Sequence, residues 1–198
     1  IAFIDCKWPK KLYEEVHMND DDIALSFKEL ETIYRDLKQN MQRHGNYSKA
    51  GDFYYREMEC KKRAMREKRF SLDWLKSYVY SFLKYTCGYG ENPERVIFTS
   101  VLIIFTAAFL FVLNGIVIGE YSLEERIINY NLSLSIPGIQ AVKDFLQCLY
   151  YSVVTFTTLG YGDIHPVGLS KLVASAEAFT GAFFIALFVL VFGRKMMR

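Results

Sequence analysis

The chain has 198 residues and a net charge of only +2, with 52 % hydrophobic and 16 % aromatic residues. That length allows one or two domains, and the near-neutral balance gives no footprint for nucleic acid. Four cysteines, Cys6, Cys60, Cys87 and Cys148, are scattered without a C-x-x-C pair. This argues against a zinc site or a disulfide framework and fits free thiols in a reducing compartment. The start at Ile1 rather than Met reads as a fragment or a processed form, and no secretory signal pattern opens it.

Residues 1–19 place Phe3 and Trp8 five apart, with Ile1 and Cys6 two before each. The spacing resembles the end of a pentapeptide-repeat solenoid, and chance explains two units equally well. Asp20-Asp21-Asp22 then precedes Ile23, Phe27, Leu30, Ile33, Leu37 and Met41, which share one helical face. The aspartates read as a helix N-cap with an acidic first turn rather than a calcium site. Gly45 to Ala50 turns the chain into a second helix reaching about Arg69. Residues 20–70 thus form a helical hairpin, and Leu37, Ala50 and Tyr54 give it a resemblance to a single tetratricopeptide-type unit. Lys38 stands where that family usually has a glycine. One such unit cannot bury its own apolar face, so it should pack on further repeats, another subunit or a cytoplasmic protein partner. The basic run Lys61 to Arg69 is either a solvated helix face or a contact for anionic lipid.

Residues 71–93 are an amphipathic helix and linker. Trp74, Leu75, Tyr78, Val79, Phe82 and Leu83 recur at helical spacing with lysines between them, which suits a membrane interface. The following Gly88-Tyr89-Gly90 leads into Asn92-Pro93 and reads as a tight turn.

Val96 to Ile118 carries no charge. At ~1.5 Å per residue it reaches roughly 34 Å, enough to cross a ~30 Å hydrocarbon core. A second apolar segment, Leu169 to Phe192, has a polar early half with Ser170, Lys171, Ser175, Glu177 and Thr180, as a helix packed on protein around a pore would. Lys76, Lys84 and Arg95 precede the first span, and Arg194, Lys195 and Arg198 follow the second. The connection holds Glu120, Glu124, Glu125, Asp144 and Asp163 against Arg126 and Lys143. The positive-inside rule then puts both termini in the cytoplasm, in a multi-pass cell-membrane protein.

Within the connection, Lys143 to Thr158 has Phe145, Leu149, Ser152 and Phe156 at helical spacing and is too short to span. It reads as a re-entrant helix with Asp144 near its N-terminus, complementing the helix dipole. Thr157-Thr158-Leu159-Gly160-Tyr161-Gly162-Asp163 follows. Open backbone at membrane depth must be buried in protein or line a water-filled cavity.

On these residues, 94–198 resembles the pore module of two-transmembrane potassium channels. The resemblance implies an all-α membrane protein with outer helix, re-entrant pore helix, selectivity filter and inner helix, assembled as a homotetramer. It implies that Thr158, Leu159, Gly160 and Tyr161 supply carbonyls to K+, that the Thr158 hydroxyl completes the innermost site, and that Gly162 closes the filter. Leu159 stands where valine is commoner. Tyr150 and Tyr151 occupy the family's aromatic pair, against which Tyr161 would brace. Val154 replaces a glutamate that some relatives use to hold the aspartate of the motif, so Asp163 needs another partner, and Tyr150 is the candidate.

Pro166 fits the first turn of the inner helix. Gly181 is read either as the family's hinge or as a close-packing residue, with Ala182, Ile185 and Val189 lining the inner pore. Glu177 is an ionisable group within a span, either functional or buried with a hydrogen-bond partner. Asn114 is expected to hydrogen-bond between helices, and His165 to lie at the outer mouth.

The reading is passive K+ conduction, with gating by the N-terminal helices, no cofactor besides the permeant ion, and the bilayer as environment. A non-selective cation channel and a membrane-anchored scaffold with a silent pore are the alternatives. No nucleophile–base pair, metal cluster or phosphate loop suggests an enzyme.

Overall fold

The computed structural model of the chain describes residues 8–9, 11–17, 25–67, 71–119, 126–128 and 138–197. The pattern at Ile1 to Lys7 and the aspartates Asp20 to Asp22 lie outside the described residues. Two compact units divide the chain: Ile1–Arg95 together with Gly193–Arg198, and Val96–Phe192.

The first unit is built on an antiparallel hairpin of α2 (Phe27–Arg43) and α3 (Tyr47–Glu67), preceded by the short α1 (Tyr13–Val16). Ser26 caps α2 through a capping box. Its hydroxyl accepts from the Glu29 backbone N–H, and the Glu29 carboxylate accepts from the Ser26 N–H at 2.8 Å. This start lies one turn beyond the aspartates that the sequence suggested as the cap. Leu30, Tyr34 and Met41 of α2 meet Ala50, Phe53 and Cys60 of α3 in the core. The chain itself supplies part of the cover that a lone hairpin lacks. Trp8 packs edge-on against Phe53 at 5.3 Å, and Leu12 joins the core. The Tyr34 hydroxyl donates to Glu15 at 2.6 Å and accepts from the Leu12 N–H at 3.1 Å.

Helix α4 (Leu72–Cys87) follows, capped by Ser71 and ended by Gly88 in the left-handed region. Its side towards the hairpin is polar and aromatic, whereas Leu75, Tyr78, Val79 and Phe82 are exposed. Gly88, Tyr89 and Gly90 all have positive φ, at 57°, 60° and 83°. Three consecutive left-handed residues make a tight turn, as the sequence suggested, and Tyr89 is buried within it. Its hydroxyl donates to Glu59 at 2.6 Å, and the same carboxylate accepts from Lys62 at 2.9 Å and Lys84 at 2.8 Å. Lys61 lies over the Tyr80 ring and Arg63 over Phe27. The first residues of the basic run are therefore engaged inside the unit rather than forming a uniformly solvated face. Arg194 also belongs here, 3.6 Å from Glu91 and over the Tyr54 ring.

The second unit contains most of α5 (Pro93–Asn114) and α7 (Ser170–Met196), with α6 (Gly138–Phe156) between them in sequence. α5 and α7 are long and apolar enough to cross a membrane, yet only 22 % of each apolar window is buried. A soluble core helix of that composition would be mostly covered. Three short strands depart from the all-α expectation: β1 (Ile116–Ile118), β2 (Arg126–Ile128) and β3 (Ile164–Pro166), antiparallel in the order β2-β1-β3. Pro166 pairs opposite Ile116 at the end of β3, so it precedes α7 instead of opening it. Asn114 donates to the Leu110 carbonyl of its own helix at 2.9 Å, not to another helix. α6 starts a turn earlier than the sequence suggested. Asp144 thus lies past the first turn, buried, accepting from Gln140 at 2.8 Å. The core draws on every element: Ala107, Ala108 and Phe111 of α5, Ile116, Ile128 and Ile164 of the strands, Cys148 and Tyr151 of α6, and Ala174 of α7.

Burial alone would raise the Glu59 carboxyl, but hydrogen bonds from Lys84, Tyr89 and Lys62 outweigh it and hold it at about 2, against an ordinary 4.5. A depressed carboxylate contributes stability that is present above its unfolded pKa and lost as the pH falls through the folded one. Fluorescence melts of the whole protein in detergent read this unit, because both tryptophans, Trp8 and Trp74, lie in it. Stability should fall on acidification from pH 4.5 towards 2. Glu59→Gln should cost about 2 kcal/mol at neutral pH and flatten that acid limb.

Candidate functional site: the segment after helix α6

The last turn of α6 passes straight into the segment 157–163. The Thr157, Thr158 and Leu159 N–H groups still donate backwards, to Val153, Thr155 and Val154 at 3.0 Å each. Beyond them the backbone changes character. Positive φ falls on every second residue, at Thr158 (58°), Gly160 (56°) and Gly162 (81°), while Leu159 and Tyr161 are not among the positive-φ residues. Alternating handedness turns successive peptide planes so that neighbouring carbonyls can share one side, where an extended strand would alternate them. For glycine the left-handed region carries no β-carbon penalty. For Thr158, which is β-branched, it costs roughly 1–2 kcal/mol, and strain of this kind gathers at functional sites.

Among the described residues, no protein donor reaches the carbonyls of Thr158, Leu159, Gly160 or Tyr161. All four residues are exposed in the single chain, so these carbonyls are open to solvent, an ion or a neighbouring chain. The Thr158 hydroxyl donates to the Thr157 carbonyl at 2.7 Å, leaving its own lone pairs available as a further oxygen ligand. The second Gly-Tyr-Gly has the same letters as the turn at Gly88 but a different backbone: alternating here, uniformly left-handed there.

The segment is held at both ends. At its exit, Gly119 donates to the Asp163 carbonyl at 2.9 Å, and β3 pairs with β1, with Val117 opposite His165. The Tyr150 hydroxyl, which the sequence suggested as a partner in place of a glutamate at Val154, is coupled electrostatically to the Asp163 carboxylate. Val154 is itself buried, and Tyr151 packs edge-on against Phe111 at 4.9 Å. Tyr161 and Leu159, by contrast, are 66 % and 57 % exposed, so the chain does not brace Tyr161 against its own α6.

At its entry, Gly181 of α7 lies against the end of α6. A β-carbon on Gly181 would stand 2.0 Å from the Phe156 carbonyl oxygen and 2.7 Å from its carbon. This close approach gives the glycine a packing reason independent of hinging. One turn away, Ser152 hydrogen-bonds Glu177 and also donates towards the Ile104 carbonyl at 2.9 Å. Both α7 contacts advance by four residues together, 177 with 152 and 181 with 156, so α6 and α7 run in the same direction along this seam. Sequence separation hid these partners, although Glu177 stood out as an ionisable group within an apolar span. Ala182, Ile185 and Val189 lie beside the buried stripe of Glu177, Gly181, Phe184 and Val191, open in the single chain. Among the described residues, no cluster of His, Cys, Asp or Glu could hold a metal ion.

Two glycines of the same helix separate packing from backbone effects. Gly181→Ala should lower the melting temperature of the purified protein by the equivalent of about 1–3 kcal/mol through overpacking. Gly193→Ala, where no atom lies within 4 Å of the new β-carbon, should be neutral or stabilising by up to about 1 kcal/mol. Equal melts for the two variants would contradict the Gly181–Phe156 contact.

A family model described as an ion channel matches residues 127–198, from β2 through the segment after α6 to the end of α7. No curated protein and no solved structure matches the chain. The match and the two membrane-length helices support an ion-channel function in a membrane for this part of the protein.

Proposed function

We propose that the chain is one subunit of a homotetrameric, potassium-selective pore, with 157–163 as its selectivity filter. The observation that carries this reading is the run of donor-free carbonyls at Thr158, Leu159, Gly160 and Tyr161 on a backbone of alternating handedness. Four such runs around an axis replace the hydration shell of a cation with rings of carbonyl oxygen, and the Thr158 hydroxyls add the innermost ring. A weakly hydrated K+ loses its water into such rings at less cost than Na+ does. Gly162 ends the filter, and Asp163, electrostatically coupled to Tyr150, marks its outer edge.

One chain cannot encircle an ion, and its surface agrees with assembly. Leu159 and Tyr161 are exposed, and a cavity of about 420 Å³ opens behind the filter between Tyr151, Val154, Thr155 and Ala178. In the tetramer a neighbour fills this space and braces Tyr161, while Ala182, Ile185 and Val189 face the inner cavity. α7 bends or tilts to gate, with Gly181 as the position where its side-chain-free surface slides on α6. The positive flanks support a cytoplasmic side for both termini. The exposed row Leu75, Tyr78, Val79 and Phe82 of α4 suits the inner membrane interface, and the hairpin is the regulatory element, open to a cytoplasmic protein partner.

The reversal potential of the purified protein in a planar bilayer tests the reading. Under a potassium gradient it should sit near the potassium equilibrium value and move strongly when sodium replaces potassium on one side. Equal sodium permeation would make the pore a non-selective cation channel, and silence with intact tetramers would favour a scaffold. Gly160→Ala should sharply reduce the K+ over Na+ preference. Within one chain nothing lies within 4 Å of the added β-carbon, and the positive φ opposes it by roughly 1–2 kcal/mol per subunit.

A further inference from the structure

We infer that Glu177 is a neutral carboxylic acid whose O–H donates to Ser152, making it a positioning residue that locks α7 to α6 and α5 behind the filter. The argument is a count of hydrogens. Ser152 is fully buried and Glu177 is 4 % exposed. The Ser152 oxygen touches two groups, the Glu177 carboxyl and the Ile104 carbonyl at 2.9 Å. Were Glu177 ionised, both would be acceptors competing for a single hydroxyl hydrogen. The other carboxyl oxygen is buried without a hydrogen-bond partner, and no ion pair among the described residues includes Glu177. A carboxylate there would be buried, half-satisfied and without a counter-charge, the costliest arrangement a protein interior offers.

A proton on the carboxyl resolves the conflict. Glu177 donates to the Ser152 oxygen, and Ser152 donates on to the Ile104 carbonyl, so each hydrogen has one acceptor. The chain then crosses three elements: Glu177 on α7, Ser152 on α6 and Ile104 on α5. The titratable neighbour is Tyr151 of α6, a neutral phenol, which leaves the knot uncharged. The contact lies one turn before Gly181 on Phe156, so it fixes the rotation of α7 at the place where the Gly181 surface has no side chain to do so. Its consequence for selectivity rests on the proposed filter; the protonation state does not.

Infrared spectroscopy of the protein in lipid at neutral pH reads that state without any current. Subtracting the spectrum of Glu177→Gln from that of the wild type should leave the C=O stretch of a protonated carboxylic acid, and Ser152→Ala should shift this band as its hydrogen bond is lost. Carboxylate bands in the difference spectrum, or a band indifferent to Ser152→Ala, would overturn the inference. In the bilayer, Glu177→Gln keeps a donor and should keep wild-type selectivity. Glu177→Leu removes the bond and should weaken the hold on α7 by roughly fivefold per subunit, lowering selectivity or open-state stability. A glutamine variant as impaired as the leucine variant would also overturn it. If the infrared result holds while no selective current is seen, the conduction reading fails and the protonated carboxyl stands.

Discussion

Backbone contact between two helices is the constraint on which the membrane unit turns. At Gly181 the surface of α7 is bare main chain, and it lies against the carbonyl of Phe156, the residue that ends α6. Were the two helices one methyl group further apart, the end of α6 and the segment that leaves it would move together. The Glu177–Ser152 bond one turn earlier and the β1–β3 pairing at the exit hold the same segment from the other two directions. Three attachments of different kinds thus fix a stretch of chain that has almost no hydrogen bonds of its own.

The two units solve the problem of buried polarity in opposite ways. The first unit concentrates charge. One carboxylate, Glu59, collects two lysines and a tyrosine and thereby joins α3, α4 and the turn at Gly88. Its geometry tolerates this because Lys84 keeps a partly exposed head and the hydrogen bonds are direct. The membrane unit has no such cluster among its described residues. It relies on small residues, Ala107, Ala108 and Gly181, and on a single polar chain through Ser152. Small residues allow close approach where lipid offers no hydrophobic gain from helix association.

Much of this was legible in the sequence, for reasons that also explain the misses. Length and apolar composition identified α5 and α7, and the hairpin followed from helical spacing around Gly45. Tyr150 was offered as the Asp163 partner by asking what replaces a missing glutamate, and the two are coupled electrostatically. The three strands escaped notice because Ile116-Val117-Ile118 reads as the continuation of an apolar span, and three residues show no alternation to contradict it. The start of α2 was misplaced because three aspartates outweighed the capping box at Ser26 and Glu29, a subtler but more specific pattern. The environments of Gly181 and Glu177 depend on residues far away in the chain, which no local pattern encodes.

The donor-free carbonyls have a thermodynamic consequence. In the proposed pore, the ions are not only cargo. Each carbonyl ring that lacks a protein donor is satisfied when a cation sits in it, so occupancy becomes part of the folded state's free energy. By mass action the assembly is then tightened by the ion it selects and loosened in solutions of ions it rejects. The salt in which such a protein is kept acts as a structural component, and the filter's shape is a property of protein and potassium together.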